Sequence, residues 1–204
     1  MSHEISIDNA NPVKLLTAGK YCDRDIIISA QGAYDKGYEA GYGDGLTLIE
    51  PLKSYYNGDT NDVVLPGGLT KIRASAFRQH GLMTSVSGLD DVTVVDSYAF
   101  ADCKALTGIS LPKVNNIVSR AFYACTALAS VYMPKVTRIQ SQVFYNCTSL
   151  TSITFQSTPT LIDSTAFSGC TNLKTINVPF AEGTVAGAPW GATNATINYN
   201  YTGV

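Results

Sequence analysis

Three stretches of this 204-residue chain keep the same residue types in the same places: AFADCKALTGISLP from Ala99, AFYACTALASVYMP from Ala121 and VFYNCTSLTSITFQ from Val143. Aligned on Phe77, Phe100, Phe122, Phe144 and Phe167, the steps are 23, 22, 22 and 23 residues. An Ile or Val stands five residues before each ring (Ile72, Val95, Ile117, Ile139, Ile162), and a small residue directly precedes it. Three residues after it stands Cys103, Cys125, Cys147 or Cys170, with His80 in the first copy. Leu or Met follows six after, and a branched residue nine after, as Val86, Ile109, Val131, Ile153 and Ile176.

A period in the low twenties constrains the fold more than any composition does, because it describes a solenoid. One such unit cannot bury its own apolar side, but stacked units bury a continuous column. Each invariant letter then becomes a ladder: a Phe ladder and a Leu–x–x–Ile ladder at the centre, and a Cys ladder where only a small apolar group fits. In LTGISLP, Ile109 and Leu111 alternate inward against Gly108 and Ser110, which reads as a strand ended by Pro112. A second short strand is expected at Val114–Ile117 and Val136–Ile139. The stretch from Ser97 to Lys104 suits a helical or 3-10 turn. The expectation is about five stacked coils of short strands and helical or 3-10 turns.

The pattern I-x-x-x-A-F-x-x-C-x-x-L-x-x-I-x-L-P resembles the BspA-type leucine-rich repeat over roughly Val63 to Pro179. The first copy departs from it at His80 and Gly88, as an end repeat often does.

The two ends differ from the repeat. Residues 181–204 contain Trp190, the only Trp, and an alternation of Ile197, Tyr199 and Tyr201. A capping strand is expected there, with Trp190 covering the end of the apolar column. Residues 1–50 read as a small β/helical module. KLLTAGKYCDRDIIISAQG suggests two short strands with Gly19 in the turn. In YDKGYEAGYGDG, Tyr34, Tyr38 and Tyr42 recur every four residues, as do Gly37, Gly41 and Gly45. That stretch is either a packed helix with adjacent aromatic and glycine stripes or a flexible linker, since each helical Gly costs about 1 kcal/mol. Residues 51–180 form the solenoid between these ends.

Few functions of chemical kind fit. Charged residues are 15% of the chain and the net charge is −2, so neither nucleic acid nor an anionic membrane is favoured as partner. No apolar run is long enough for membrane insertion. The start, MSHEISIDNANP, lacks the features of an export signal. His3 and His80 lie far apart, and no nucleophile-elbow, zinc-protease or P-loop pattern occurs. The expectation is no enzyme, no cofactor and no metal, because Cys side chains on successive coils project in parallel rather than converging tetrahedrally. The odd count of five cysteines reads as reduced thiols rather than a disulfide framework.

Candidate binding residues are the outward columns. Two strand columns carry Ser110, Tyr132 and Thr154 among small polar residues. The position after each Phe gives Arg78, Ala101, Tyr123, Tyr145 and Ser168. Tyr123 and Tyr145 should be stacked neighbours, and aromatic rings beside hydroxyls grip sugars or protein surfaces. Both ends resemble parts of phage and prophage proteins of Gram-positive bacteria. That resemblance implies a tail-associated virion protein, made in the bacterial cytoplasm. Its repeat domain would bind a host-surface receptor, glycan or protein, and its N-terminal module would contact other virion proteins or form a homo-oligomer such as a trimer. The alternative, which shares the solenoid, is a bacterial cell-surface or secreted adhesin.

Overall fold

A computed structural model describes residues 62–203 apart from 66–67, together with Ser6–Ile7 and Leu15–Leu16. Cys22, His3, the turn expected at Gly19 and the Tyr/Gly stretch at 34–45 lie outside the described residues. Strands β1 (Ser6–Ile7) and β2 (Leu15–Leu16) pair antiparallel.

The described chain then winds as an alternation of two strand types. Three-residue strands are β3 (Asp62–Val64), β5 (Ser85–Ser87), β7 (Gly108–Ser110), β9 (Ser130–Tyr132), β11 (Ser152–Thr154), β13 (Thr175–Asn177) and β14 (Thr196–Asn198). Two-residue strands are β4 (Lys71–Ile72), β6 (Val94–Val95), β8 (Asn116–Ile117), β10 (Arg138–Ile139) and β12 (Leu161–Ile162). The short strands form one parallel five-stranded sheet in the order β12-β10-β8-β6-β4. The longer strands form three parallel groups, β3-β5, β7-β9 and β11-β13-β14, in which equivalent residues such as Gly108 and Ser130 or Ile109 and Val131 pair. Parallel in-register pairing of equivalent residues is what a near-constant period produces, and it turns each sequence position into a ladder.

The Phe ladder is real and dry. Phe77, Phe100, Phe122, Phe144 and Phe167 are all buried, and successive ring centroids lie 4.9, 5.2, 5.5 and 5.4 Å apart. Their planes deviate by 5°, 1°, 7° and 2°. The spacing slightly exceeds the roughly 4.8 Å between neighbouring strands. The Ile/Val ladder (Ile72 to Ile162) and the Leu ladder (Leu106, Leu128, Leu150, Leu173) fill the rest of the column.

The described residues contain no helix, so the expected helical or 3-10 turns are replaced by something else. Around each Phe, alternate backbone amides serve different partners. Ala76, Arg78 and His80 donate to Arg73, Ser75 and Phe77, three residues back, closing tight turns. Phe77 and Gln79, between them, donate to Ala99 and Ala101 of the next coil, both at 2.7 Å. A helix would consume all these donors within one coil. Here every second amide joins neighbouring coils, so this side of the solenoid is stitched as a sheet would be. The geometry requires left-handed residues two before and two after the ring: Ser75, Tyr98, Arg120 and Gln142 on one side, Gln79, Asp102, Ala124, Asn146 and Gly169 on the other. Most are not glycine. The cost of order 1 kcal/mol at each is offset by the inter-coil bonds it permits.

The stack also holds about six coils rather than five. Counting Phe residues misses the last one. Phe167 N–H donates 2.9 Å to Trp190 O, and Ile197 sits opposite Ile176. GATN-ATIN from Gly191 repeats GCTNLKTIN from Gly169 with one residue deleted. Trp190 is fully buried, its ring meets Phe180 edge-on at 6.4 Å, and its Nε1–H donates to Ala186 O at 2.8 Å.

Gly88, the other departure of the first copy, has a direct cause. Its φ is +80°, and a Cβ there would lie 2.1 Å from Leu65 O. No side chain fits. The Gly88→Ala variant is expected to lose about 1–3 kcal/mol, read as a lowered urea midpoint; an unchanged midpoint would mean the first coil moves aside at no cost.

Candidate functional site

The Cys ladder does more than fill space. The thiols of Cys103, Cys125, Cys147 and Cys170 donate to the carbonyls of Phe77, Phe100, Phe122 and Phe144 of the preceding coil, at 3.0, 3.0, 3.2 and 2.9 Å. Each carbonyl already accepts one amide in its own turn, so the S–H supplies a second donor to a buried oxygen. The expectation of apolar plugs is therefore incomplete: Ala or Val would fill the space but leave that lone pair unmet. All four cysteines are free thiols. Among the described residues no group of three or more His, Cys, Asp or Glu side chains is placed to hold a metal.

Burial pushes the Cys103 and Cys170 thiols up to about 12, and those of Cys125 and Cys147 well above the ordinary thiol value. The folded protein holds these protons more tightly than the unfolded chain, whose thiols ionise near 9.0. Stability is thus undiminished by these groups below about pH 9 and falls as pH rises from there toward 12. Iodoacetamide at pH 8 is expected to leave these four thiols unmodified in the native protein and to label them in guanidinium; rapid native labelling at Cys125 would contradict the ladder.

The predicted binding residues fall on two separate surfaces. Ser110 and Tyr132 face each other across β7 and β9, and Thr154 follows on β11. Tyr132 is 50% exposed. Thr154 Oγ1 accepts from Asn177 Nδ2 at 3.0 Å, and Asn177 Oδ1 accepts from Asn198 Nδ2 at 2.8 Å, a polar ladder that ties down the end of this face. Tyr123 and Tyr145 lie instead on the turns beside the Phe ladder. Their rings stack at 4.9 Å and 7°, both half-buried. Ala101, expected in the same outward column, is buried.

Beside the Tyr123–Tyr145 stack lies a set that sequence reasoning missed. The guanidinium carbons of Arg78 and Arg120 lie 4.9 and 5.5 Å from the centre of the Tyr98 ring. Arg120 donates from Nη1 to Tyr98 Oη, and from Nε to Gln142 Oε1 at 2.6 Å. Tyr98, Arg120 and Gln142 occupy the left-handed position two residues before Phe. That column is not one of the outward columns read from the sequence; the position after Phe is. In a β-turn the two are the first and fourth residues: Tyr123 N–H donates to Arg120 O at 3.1 Å. Their Cα atoms then lie within about 7 Å of each other. Two columns, Tyr98–Arg120–Gln142 and Tyr123–Tyr145, so form one contiguous face, with Arg78 at its edge.

A right-through apolar column, parallel in-register strands and a variable outside define a leucine-rich-repeat β-solenoid. Residues 51–174 match the family described as BspA type leucine rich repeat region, in 6 copies. The chain belongs to the BspA-type leucine-rich repeat family. A comparison with curated proteins gives no match. Among solved structures, the chain is similar to a leucine rich cell surface protein from Faecalibacterium prausnitzii, with 32% identity and a TM-score of 0.55, over 61% of this chain and 35% of that one. The chain thus spans about a third of that protein's length. A leucine-rich repeat protein from Bacteroides ovatus is 20% identical, with a TM-score of 0.45, over 71% of this chain and 45% of that one. The pneumococcal vaccine antigen PcpA is 12% identical, with a TM-score of 0.44, over 74% and 44%.

Proposed function

We propose that this chain is a non-enzymatic recognition module that binds at a bacterial surface. The observation that carries this reading is the contrast between inside and outside. Coil after coil, the interior repeats Phe, Cys, Leu and Ile, while the solvent-reached turn positions change from Tyr98 to Arg120 to Gln142 and from Arg78 to Tyr123 and Tyr145. A scaffold that holds its core constant and varies one accessible face suits recognition rather than catalysis. Support for the cell surface as the setting comes from the similar Faecalibacterium protein, whose own description places it there.

The second reading is a phage or prophage tail-associated protein. It draws on the resemblance of residues 1–50 and of the C-terminal segment to phage proteins. In that setting residues 1–50 attach the chain to other virion proteins or assemble it into a homo-oligomer such as a trimer, and the solenoid meets the host receptor.

Mixing the labelled full chain with a panel of intact bacteria tests the shared core of both readings: saturable binding to some strains is expected, and binding to none would overturn it. Locating the native chain by mass spectrometry in envelope fractions or in induced phage particles separates the two settings. For the tail reading, the full chain is expected to sediment as an oligomer and the chain lacking residues 1–50 as a folded monomer.

A further inference from the structure

We infer that the face built from Arg78, Tyr98, Arg120, Gln142, Tyr123 and Tyr145 is a binding site for an acidic polysaccharide, one carrying carboxylate or phosphate groups along a chain of sugar rings. This rests on the recognition reading above and names its ligand class.

Three observations combine. First, two guanidinium groups flank one ring. Arg78 and Arg120 both lie against Tyr98, within the range in which a cation is attracted by an aromatic face. This holds both cations in place at the surface, where each side chain is exposed. Second, neither cation is neutralised. Among the described residues, the ion pairs are Lys71–Asp96 at 2.8 Å and Lys113–Asp91 at 2.7 Å, and neither involves an arginine of this face. Asp90, the carboxylate nearest Arg78 in sequence, and Asp102, the one nearest Arg120, take part in neither of these ion pairs. Arg120 spends Nε on Gln142 and one Nη1 proton on Tyr98, which fixes its plane and leaves Nη2 free of these two contacts. A guanidinium with a fixed plane and remaining donors is suited to a carboxylate or phosphate oxygen. Third, the charged column adjoins a two-ring aromatic wall. Tyr123 belongs to the same β-turn as Arg120, and Tyr145 stacks on it one coil further along.

The arrangement is elongated along the solenoid axis, over the four coils from Arg78 to Tyr145. A polymer offering rings and anions in alternation matches it better than a free small anion, which would use the arginines and ignore the tyrosines. Tyrosine edges and hydroxyls supply apolar contact and hydrogen bonds to sugars while the arginines take the acid groups. Tyr132, Ser110 and Thr154, on the strand face, lie outside this site.

The test is affinity electrophoresis of the full chain through gels containing polygalacturonate, a teichoic acid or neutral dextran. Retardation by at least one acidic polymer and none by dextran is expected, weakening as salt is raised. Polygalacturonate and teichoic acid separate carboxylate from phosphate recognition. The Arg78→Gln/Arg120→Gln pair is expected to weaken the interaction about tenfold or more, the loss of charge-assisted hydrogen bonds, and Tyr123→Ala to weaken it with the thermal midpoint retained. Tyr132→Ala is expected to bind as the parent does. Equal retardation by dextran, no retardation by either acidic polymer, or full binding by the folded double variant overturns the proposal. If the double variant still decorates cells as the parent does, this site is wrong and the recognition reading stands; if the parent decorates no cell, that reading itself falls.

Discussion

Replacing Phe122 with Ala is expected to destabilise the solenoid by about 3–5 kcal/mol, the usual cost of deleting a buried aromatic ring and leaving a cavity. At roughly 2–4 °C per kcal/mol for a chain of this size, the thermal midpoint should fall by about 6–20 °C. Phe122 stacks between Phe100 at 5.2 Å and Phe144 at 5.5 Å, with no solvent access. Neighbours cannot collapse into the space without shortening the coil spacing, and that spacing is held by Phe122 N–H to Val143 O and by Phe100 N–H to Ala121 O. Because stability in a stacked array is a sum of coil and interface terms, a break in the middle weakens two interfaces at once. Phe77, whose ring among the described residues stacks on Phe100 alone, should cost less. Denaturant unfolding of both variants, followed by far-UV circular dichroism, gives the comparison. A Phe122→Ala midpoint equal to the parent's would remove the Phe ladder from the account of stability.

Replacing Trp190 with Ala should approach the same size, about 3–5 kcal/mol, by a different route. The indole is completely buried near the last coil, packs edge-on against Phe180, and its N–H satisfies Ala186 O. Its loss removes apolar contact and leaves that carbonyl with one partner fewer. The damage should begin at one end: β14 and the segment from 181 onward should become protease-sensitive before the coils around Phe122 do. Limited proteolysis with mass mapping reads this directly. Trp190→Phe, which keeps most of the apolar volume but not the N–H, should recover part of the stability, short by about 1–3 kcal/mol for the unpaired acceptor. If the first cleavages in Trp190→Ala fall instead within residues 90–150, the lid assignment is wrong.

How far the site was readable follows from which residues repeat. The stacking of Tyr123 on Tyr145 was legible, because a period of 22 places equivalent positions one above another. The pairing of Ser110 with Tyr132 was legible for the same reason. The Arg78–Tyr98–Arg120 cluster was not. Arg120 lies over Tyr98 as its equivalent 22 residues on, but the Arg78–Tyr98 contact joins the position after Phe in one coil to the position two before Phe in the next, where the backbone is left-handed. Nothing in the propensity of Tyr or Arg announces a positive φ. Ala101 was misplaced by the same assumption: a column that is outward at Tyr123 and Tyr145 is closed over at Ala101.

The amino-acid sequence by itself determined the solenoid, its period, the Phe and Cys ladders and the strand at each Ile, because repetition at constant spacing makes every apolar contact a contact between equals. Only the tertiary structure decided what the turns are. Whether an amide closes its own coil or reaches the next is settled by the carbonyl waiting about 5 Å away on the neighbour, and that neighbour does not exist until the stack has formed. The thiol-to-carbonyl bonds, the left-handed turns and the guanidinium–tyrosine face all come from that one choice.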